Sequence, residues 1–288
     1  MKRSARKKKL AWKRAFKSKW MALTVVSILT GLLIYYFFLP KAPAVYEAIP
    51  KTAAIVDQLA MTHPNIAFIT SVSDTLTSAG FSVDYYNYSE VTVDFYKQLP
   101  SKRYSLIILR VHSGVGQYSG LTSLYTSEPH SQWPHYWEQM NDEVVAVEYV
   151  SGGPIYFAIT SKFVKNSDAC KNSIIIMMGC DGLTATDMAT AYVEKGARAY
   201  ISWNGPVSPG HTDTATGELI RNLVLKNQTI ADAVNNTMNV VGSDPNYHSQ
   251  LAFYPTQSSN YTLLNSPSTA EKPYRAYIVT GYAKKRIK

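Results

Sequence analysis

Only two of the 288 residues are cysteine, Cys170 and Cys180, and they form no closely spaced pair of the kind that holds zinc. This excludes a disulfide-scaffolded miniprotein and a Cys-type zinc module. Charge is sparse at 17%, while 46% of residues are hydrophobic. That balance excludes a disordered chain and a collagen-like one. Acidic residues are missing altogether from residues 1–19, which hold ten Lys and Arg side chains. Four more basic residues end the chain at Lys284, Lys285, Arg286 and Lys288. The formal charge of +9 would by itself suggest nucleic acid or an anionic membrane as partner. Without the two tails, however, fifteen basic residues face all twenty acids, a net of −5. A body of that sign lacks the footprint of a nucleic-acid binder.

No charge interrupts residues 20–39, WMALTVVSILTGLLIYYFFL, which follow the basic tail directly. About 20 apolar residues at ~1.5 Å each match a ~30 Å hydrocarbon core. Trp20 at one end and Tyr35-Tyr36 near the other suit the two interfaces. A cleaved signal peptide, with Ala42-Pro43-Ala44 as its processing site, is the rival reading, but signal cores run only about 7–15 residues. A single transmembrane helix in the lipid bilayer is therefore expected, with residues 1–19 as a cytoplasmic tail and the remainder extracytoplasmic. Four glycosylation sequons, at Asn87, Asn227, Asn235 and Asn260, agree with that placement. Residues 40–62 open with prolines and read as a stalk, with a short helix from Lys51. Residues 284–288 form a basic C-terminal tail.

Between them, residues 63–283 read as one α/β domain. Strands are expected at 65–70, 81–87, 104–112, 173–180 and 197–203, and a hairpin turning at Ser151-Gly152-Gly153-Pro154. Helices are expected at 74–78, 91–99, 184–196, 212–226 and 229–241, with capping boxes at Thr184–Asp187 and Thr229–Asp232. The runs LIIL and SIIIMM are apolar on both faces, as parallel strands covered by helices require. Residues 113–170 are less regular, and no repeat of 20–50 residues is present.

Two of these strands end in reactive side chains, His112 and Cys180. Functional groups in open α/β sheets gather at the carboxyl ends of strands. Neighbouring strands lie about 4.8 Å apart, which would bring an imidazole near a thiol, a base near a nucleophile. Gly179 and Gly182 flank the thiol and allow a tight turn and close substrate approach. A helix beginning after Cys180 would favour thiolate. Cys170 cannot pair with it, because the strand between them exceeds the Cα separation a disulfide spans, about 4.4–6.8 Å.

These features together resemble the caspase-like (clan CD) cysteine peptidases, and among them CHAT-domain proteases most. The residues that carry the likeness are Leu106–His112 with Ser113-Gly114, then Ile174–Gly179 with Cys180-Asp181-Gly182. The segments GARAYISWNGPVS (196–208) and LVLKNQTIADAV (223–234) continue it. The resemblance implies a caspase-hemoglobinase-like, mostly parallel sheet flanked by helices, and a cysteine endopeptidase acting on protein or peptide through a His112–Cys180 dyad. The backbone N–H groups of Cys180 and Gly114, the latter ahead of Ser113, would bind the oxyanion. No cofactor or metal is required. Arg110, Asp181 and Trp203 are candidates to line the substrate pocket, with a charge-paired rim position for Arg110 and a core position for Trp203 as alternatives. The family usually has His directly before Gly, whereas Ser113 intervenes here, and no acid precedes Cys180 in its strand. A catalytically inactive caspase-like binding or sensing module is the second reading.

Other constellations fit less well. A nucleophile elbow needs Gly-x-Cys-x-Gly, and Met178 stands at the first position, although His211 and His248 follow in suitable order. His130, His135 and Glu138 lack the His-Glu-x-x-His spacing of a zinc site.

Overall fold

The computed structural model describes residues 20, 24, 26–36 and 49–263, and the chain divides into two units, up to Glu47 and from Ala48. In the first unit residues 26–36 are helical, and Thr30 Oγ1 donates to Val26 O at 2.8 Å. Among the described residues no helix is long and apolar enough to cross a membrane. The expected span at 20–39 includes seven positions outside the described residues, as do the tails at 1–19 and 284–288 and the domain boundary at 283.

The second unit is built on a six-stranded sheet. Its strands are β1 (Thr52–Asp57), β2 (Ser82–Asn87), β3 (Leu106–Arg110), β8 (Ile174–Met177), β9 (Ala199–Trp203) and β10 (Leu251–Tyr254). Their spatial order is β10-β9-β8-β3-β1-β2, all neighbours parallel except the antiparallel β10–β9 pair. Alternation along each central strand divides the core. Ile55, Ile108 and Ile176 face a cluster with α1 (Ile66–Ser78), α6 (Pro209–Ile220) and α7 (Ile230–Val241). Val56, Leu109 and Met177 face the other, with α2 (Val93–Gln98), α4 (Ser161–Asn166) and α5 (Asp187–Glu194). Burial on both sides explains the unbroken apolar runs. A second, antiparallel sheet in the order β4-β5-β7-β6 fills the stretch that looked irregular: β4 (Ser113–Val115), β5 (Thr122–Pro129), β6 (Val144–Glu148) and β7 (Ile155–Thr160). The expected hairpin is β6–β7, and α3 (Tyr136–Met140) precedes it.

Two expectations near the start of this unit need correction. The stretch read as a stalk contains β1, a central strand, so the domain begins before residue 63. Its signal is short, TAAIVD, with two small alanines and a proline just upstream. Residues 65–70, read as a strand, open α1. The buried side chains are Phe68, Ile69, Val72 and Leu76, a helical stripe, and the Asn65 side chain caps the helix by accepting from Phe68 N–H at 3.1 Å. The Thr229 cap is present, accepting from Asp232 N–H at 3.2 Å. Thr184 caps no helix; its hydroxyl donates to Asp181, while Asp187 accepts from Thr122.

Candidate active site

Parallel pairing of β3 with β8 matches Leu109 to Met177, and Met178 N–H continues the ladder to Leu109 O at 2.9 Å. His112 follows β3 by two residues and Cys180 follows β8 by three, so both stand at the carboxyl end of the sheet. The two strand ends are clasped together. Ser113 Oγ donates to Cys180 O at 2.6 Å. A Cβ on Gly179 would lie 2.2 Å from Ser113 Oγ and 2.4 Å from Val111 O, so only glycine allows this approach. At Gly182 a Cβ would collide with Met177 and Ser202. Both glycines thus admit the protein's own chain, where the sequence suggested room for substrate.

His112 is held on all sides. Its backbone N–H donates to Gln58 Oε1 at 2.9 Å, and its carbonyl accepts from Tyr125 N–H at 2.9 Å. Gln58 Nε2 in turn donates to the Tyr149 hydroxyl at 2.7 Å, which donates to Thr126 O. The imidazole packs among Tyr149, His63 and Tyr125, with ring centres 5.1, 6.0 and 6.1 Å away. Its Nε2 lies 2.7 Å from Thr62 Oγ1, and His63 Nδ1 lies 2.9 Å from the same oxygen. Thr62 Oγ1 also donates to Leu59 O at 3.3 Å. Burial, with His63 and Arg110 adding to it, pushes the His112 pKa down to about 4. At neutral pH the ring is uncharged.

Cys180 is half-buried, and its sulfur rests against the backbone of Val207. Val207 N–H donates to Sγ at 3.4 Å, and Sγ lies 3.7 Å from Val207 O. That loop is anchored by the buried Asp244, which accepts from Ser208 N–H at 2.8 Å, Asn246 N–H at 2.9 Å and Tyr247 N–H at 3.0 Å. Burial raises the thiol pKa above its ordinary value, and Asp181 and Asp244 add to this against the Val207 bond. The expected thiolate-favouring helix start is distant in sequence, since α5 begins only at Asp187. No hydrogen bond joins His112 to Cys180 among the described residues. The Tyr125 ring neighbours His112, and burial, with a smaller contribution from Cys180, raises its pKa. Both cysteines are free, and burial pushes Cys170 up to about 12.

The remaining candidates separate. Arg110, taken as a pocket residue, is 1% exposed and ties elements together beneath the site. It donates to Asp57 at 2.6 Å, to Asp213 at 2.7 and 2.8 Å, and to His63 O at 2.9 Å. Burial opposes its charge, but the bonds to Asp213 and Asp57 outweigh that and raise its pKa. Trp203 is buried in the core, donating to Thr212 Oγ1 at 2.9 Å, and lines no cleft. Asp181 stays at the site, half-buried with φ of 60°, its N–H donating to Gly205 O at 3.0 Å. Gly114 faces the wrong way for an oxyanion donor. Tyr125 N–H donates to His112 O and Gly116 N–H to Leu121 O. The alternation of an antiparallel ladder then turns the Gly114 N–H toward Ser123 on β5. Ser113 directs its N–H to the opposite side, and Cys180 N–H has no partner among the described residues.

His135 pairs with Glu128 at 2.8 Å and His130 with Gln139 at 3.1 Å, both rings packed on Phe157. No group of three potential ligands for a metal ion occurs among the described residues. His211 packs against Trp203 and lies 3.1 Å from Gly242 O, so it belongs to no nucleophile elbow.

No protein-family model matches the sequence, and no curated protein matches it. Solved structures do. Similar chains include the Arg-specific cysteine proteinase gingipain R (RgpB), at 12% identity and a TM-score of 0.43 over 76% of this chain. Another is the complex of Porphyromonas gingivalis RgpB pro- and mature domains, at 10% identity and a TM-score of 0.42 over 68%. This chain spans 46% and 45% of those two chains, less than half of each.

Proposed function

We propose that the protein is a membrane-anchored cysteine endopeptidase of caspase-like architecture, with Cys180 as nucleophile and His112 as general base and acid. One observation carries this reading: the adjacent parallel strands β3 and β8 lead, within three residues of their carboxyl ends, to a histidine and a free cysteine, and the two exits are tied by the 2.6 Å Ser113–Cys180 bond. Placement of the α/β domain outside the membrane rests on residues 20–39 and the basic tail.

With Nε2–H donating to Thr62, His112 keeps the Nδ1 lone pair for chemistry. As substrate displaces the Val207 contact, the thiol proton passes to Nδ1 and sulfur bonds the scissile carbonyl carbon. Cys180 N–H, with Ser113 N–H, receives the oxyanion. The C–N bond breaks as Nδ1–H protonates the leaving amine. Water then gives a proton to His112 as its oxygen bonds the thioester carbon; the C–S bond breaks, the acyl half leaves as a carboxylic acid, and the imidazolium returns the proton to sulfur.

The test is a peptide-library digest with the full-length chain, wild type against Cys180→Ala and His112→Ala. Cleavage lost in both variants is expected. Cleavage surviving in Cys180→Ala would refute the mechanism. The second reading, an inactive binding module, is favoured by the sulfur's engagement with Val207, and it predicts no cleavage in any of the three proteins.

A further inference from the structure

Beside the site lies a groove of 290 Å³, walled by the turn at 116–121 on one side and by Val145–Val147 of β6 on the other. It begins at Gly114 and Tyr125, and its thirteen lining residues include no charged side chain. Resting on the peptidase reading, we infer that this groove binds the leaving-group side of the substrate and selects an uncharged side chain there.

The chemistry fixes the side. His112 must deliver a proton to the leaving amine, so the residues following the scissile bond pass over the imidazole. The acyl half stays with Cys180 and the Val207 loop. Past His112 the protein's own chain runs through β4 into the groove, and Tyr125, which bounds it, packs on the imidazole ring. His112 to Val115 is three residues, about 10 Å at the rise of an extended strand. The first two or three residues of the leaving segment therefore reach the groove. Its volume is at the lower end of ligand sites, about 300–1,000 Å³, which suits one or two side chains. Its lining combines Val115, Val145 and Val147 with the uncharged polar residues Ser123, Thr160 and Tyr125. A charged side chain entering there would leave water without a counter-charge, and this is the source of selection.

The full-length chain would be assayed on peptides of one acyl sequence, varied at the first three leaving-side positions. Aminocoumarin amides of the same acyl sequence, which have no leaving-side residues, give the reference rate. At one or more positions, uncharged residues should be cleaved about tenfold faster than Asp, Glu, Lys or Arg. In Val115→Lys, at a position 36% exposed, the ratio of acidic to uncharged substrates should rise several-fold. Cys180-dependent cleavage indifferent to all leaving-side charge would overturn the subsite while leaving the peptidase standing. A Val115→Lys ratio equal to wild type would likewise overturn it. If neither peptides nor amides are cleaved in a Cys180-dependent manner, the peptidase reading falls and the subsite with it.

Discussion

Replacing Arg110 by Met should damage stability far more than it damages substrate affinity. Its guanidinium donates four hydrogen bonds, to Asp57, to both oxygens of Asp213 and to the His63 carbonyl, and lies 5.6 Å from the Phe68 ring centre. Met fills a similar volume but leaves two carboxylates in the core with their cation gone. Among the described residues Asp213 keeps only the Asn65 amide at 2.8 Å, and Asp57 keeps Ala60 N–H and the Tyr85 hydroxyl. Removing one partner of a buried ion pair costs about 3–5 kcal/mol, because the partner's desolvation is no longer offset. For a domain of this size that corresponds to a Tm lowered by roughly 10 °C. Arg110→Lys should also lose stability, since an ammonium cannot bridge two carboxylates and a carbonyl in the planar geometry that a guanidinium provides. Thermal and urea unfolding of the full-length chain measure the loss. A double-mutant cycle with Asp213→Asn should return a coupling on the order of 1 kcal/mol or more. Arg110→Met unfolding within about 1 kcal/mol of wild type, with a raised KM, would refute this reasoning and restore a substrate-pocket role.

The half-buried, neutral His112 makes stability sensitive to acid. Its folded pKa near 4 lies below the unfolded value of about 6.5, so the unfolded state binds the proton first. Stability should therefore be unaffected by this group above about pH 6.5 and should fall by about 3 kcal/mol between there and pH 4. His112→Gln should flatten that part of the profile in urea titrations; parallel profiles would contradict it. Cys180 should alkylate slowly with iodoacetamide, its rate still climbing beyond pH ~8.5, where a free thiol has half ionised. Cys170 should be slower still, and a Cys180 plateau below pH 8 would indicate a stabilised thiolate instead.

The apolar runs at 106–109 and 174–177 were readable because each alternation feeds a separate core, and neither face has to be polar. Their carboxyl ends pointed to His112 and Cys180 by position alone. The part of the histidine's surroundings that β1 supplies gives no signal in the sequence. β1 is short and alanine-containing, so it reads as a linker, and the residues at and after its own carboxyl end, Gln58, Thr62 and His63, escape the strand-end rule. Once β1 is placed beside β3, the same strand-end rule singles them out. Arg110 misled in the opposite way. A charge inside an apolar strand suggests a ligand, but its two counter-ions come from positions 53 residues before and 103 after it, which no local pattern joins. Gly114 was misassigned because ladder direction depends on pairing with β5, and residues 113–170 give that pairing only weak alternation.

β3 does not end at the histidine. After Val111 and His112 the chain resumes as β4, so one nearly continuous strand serves two sheets, with the imidazole at the changeover. The thiol follows a strand of the larger sheet alone. The spacing of His112 from Cys180 therefore depends on how the smaller sheet meets the larger one, and whatever leans on the smaller sheet acts on it. The Ser113 hydroxyl works as the pin through that joint.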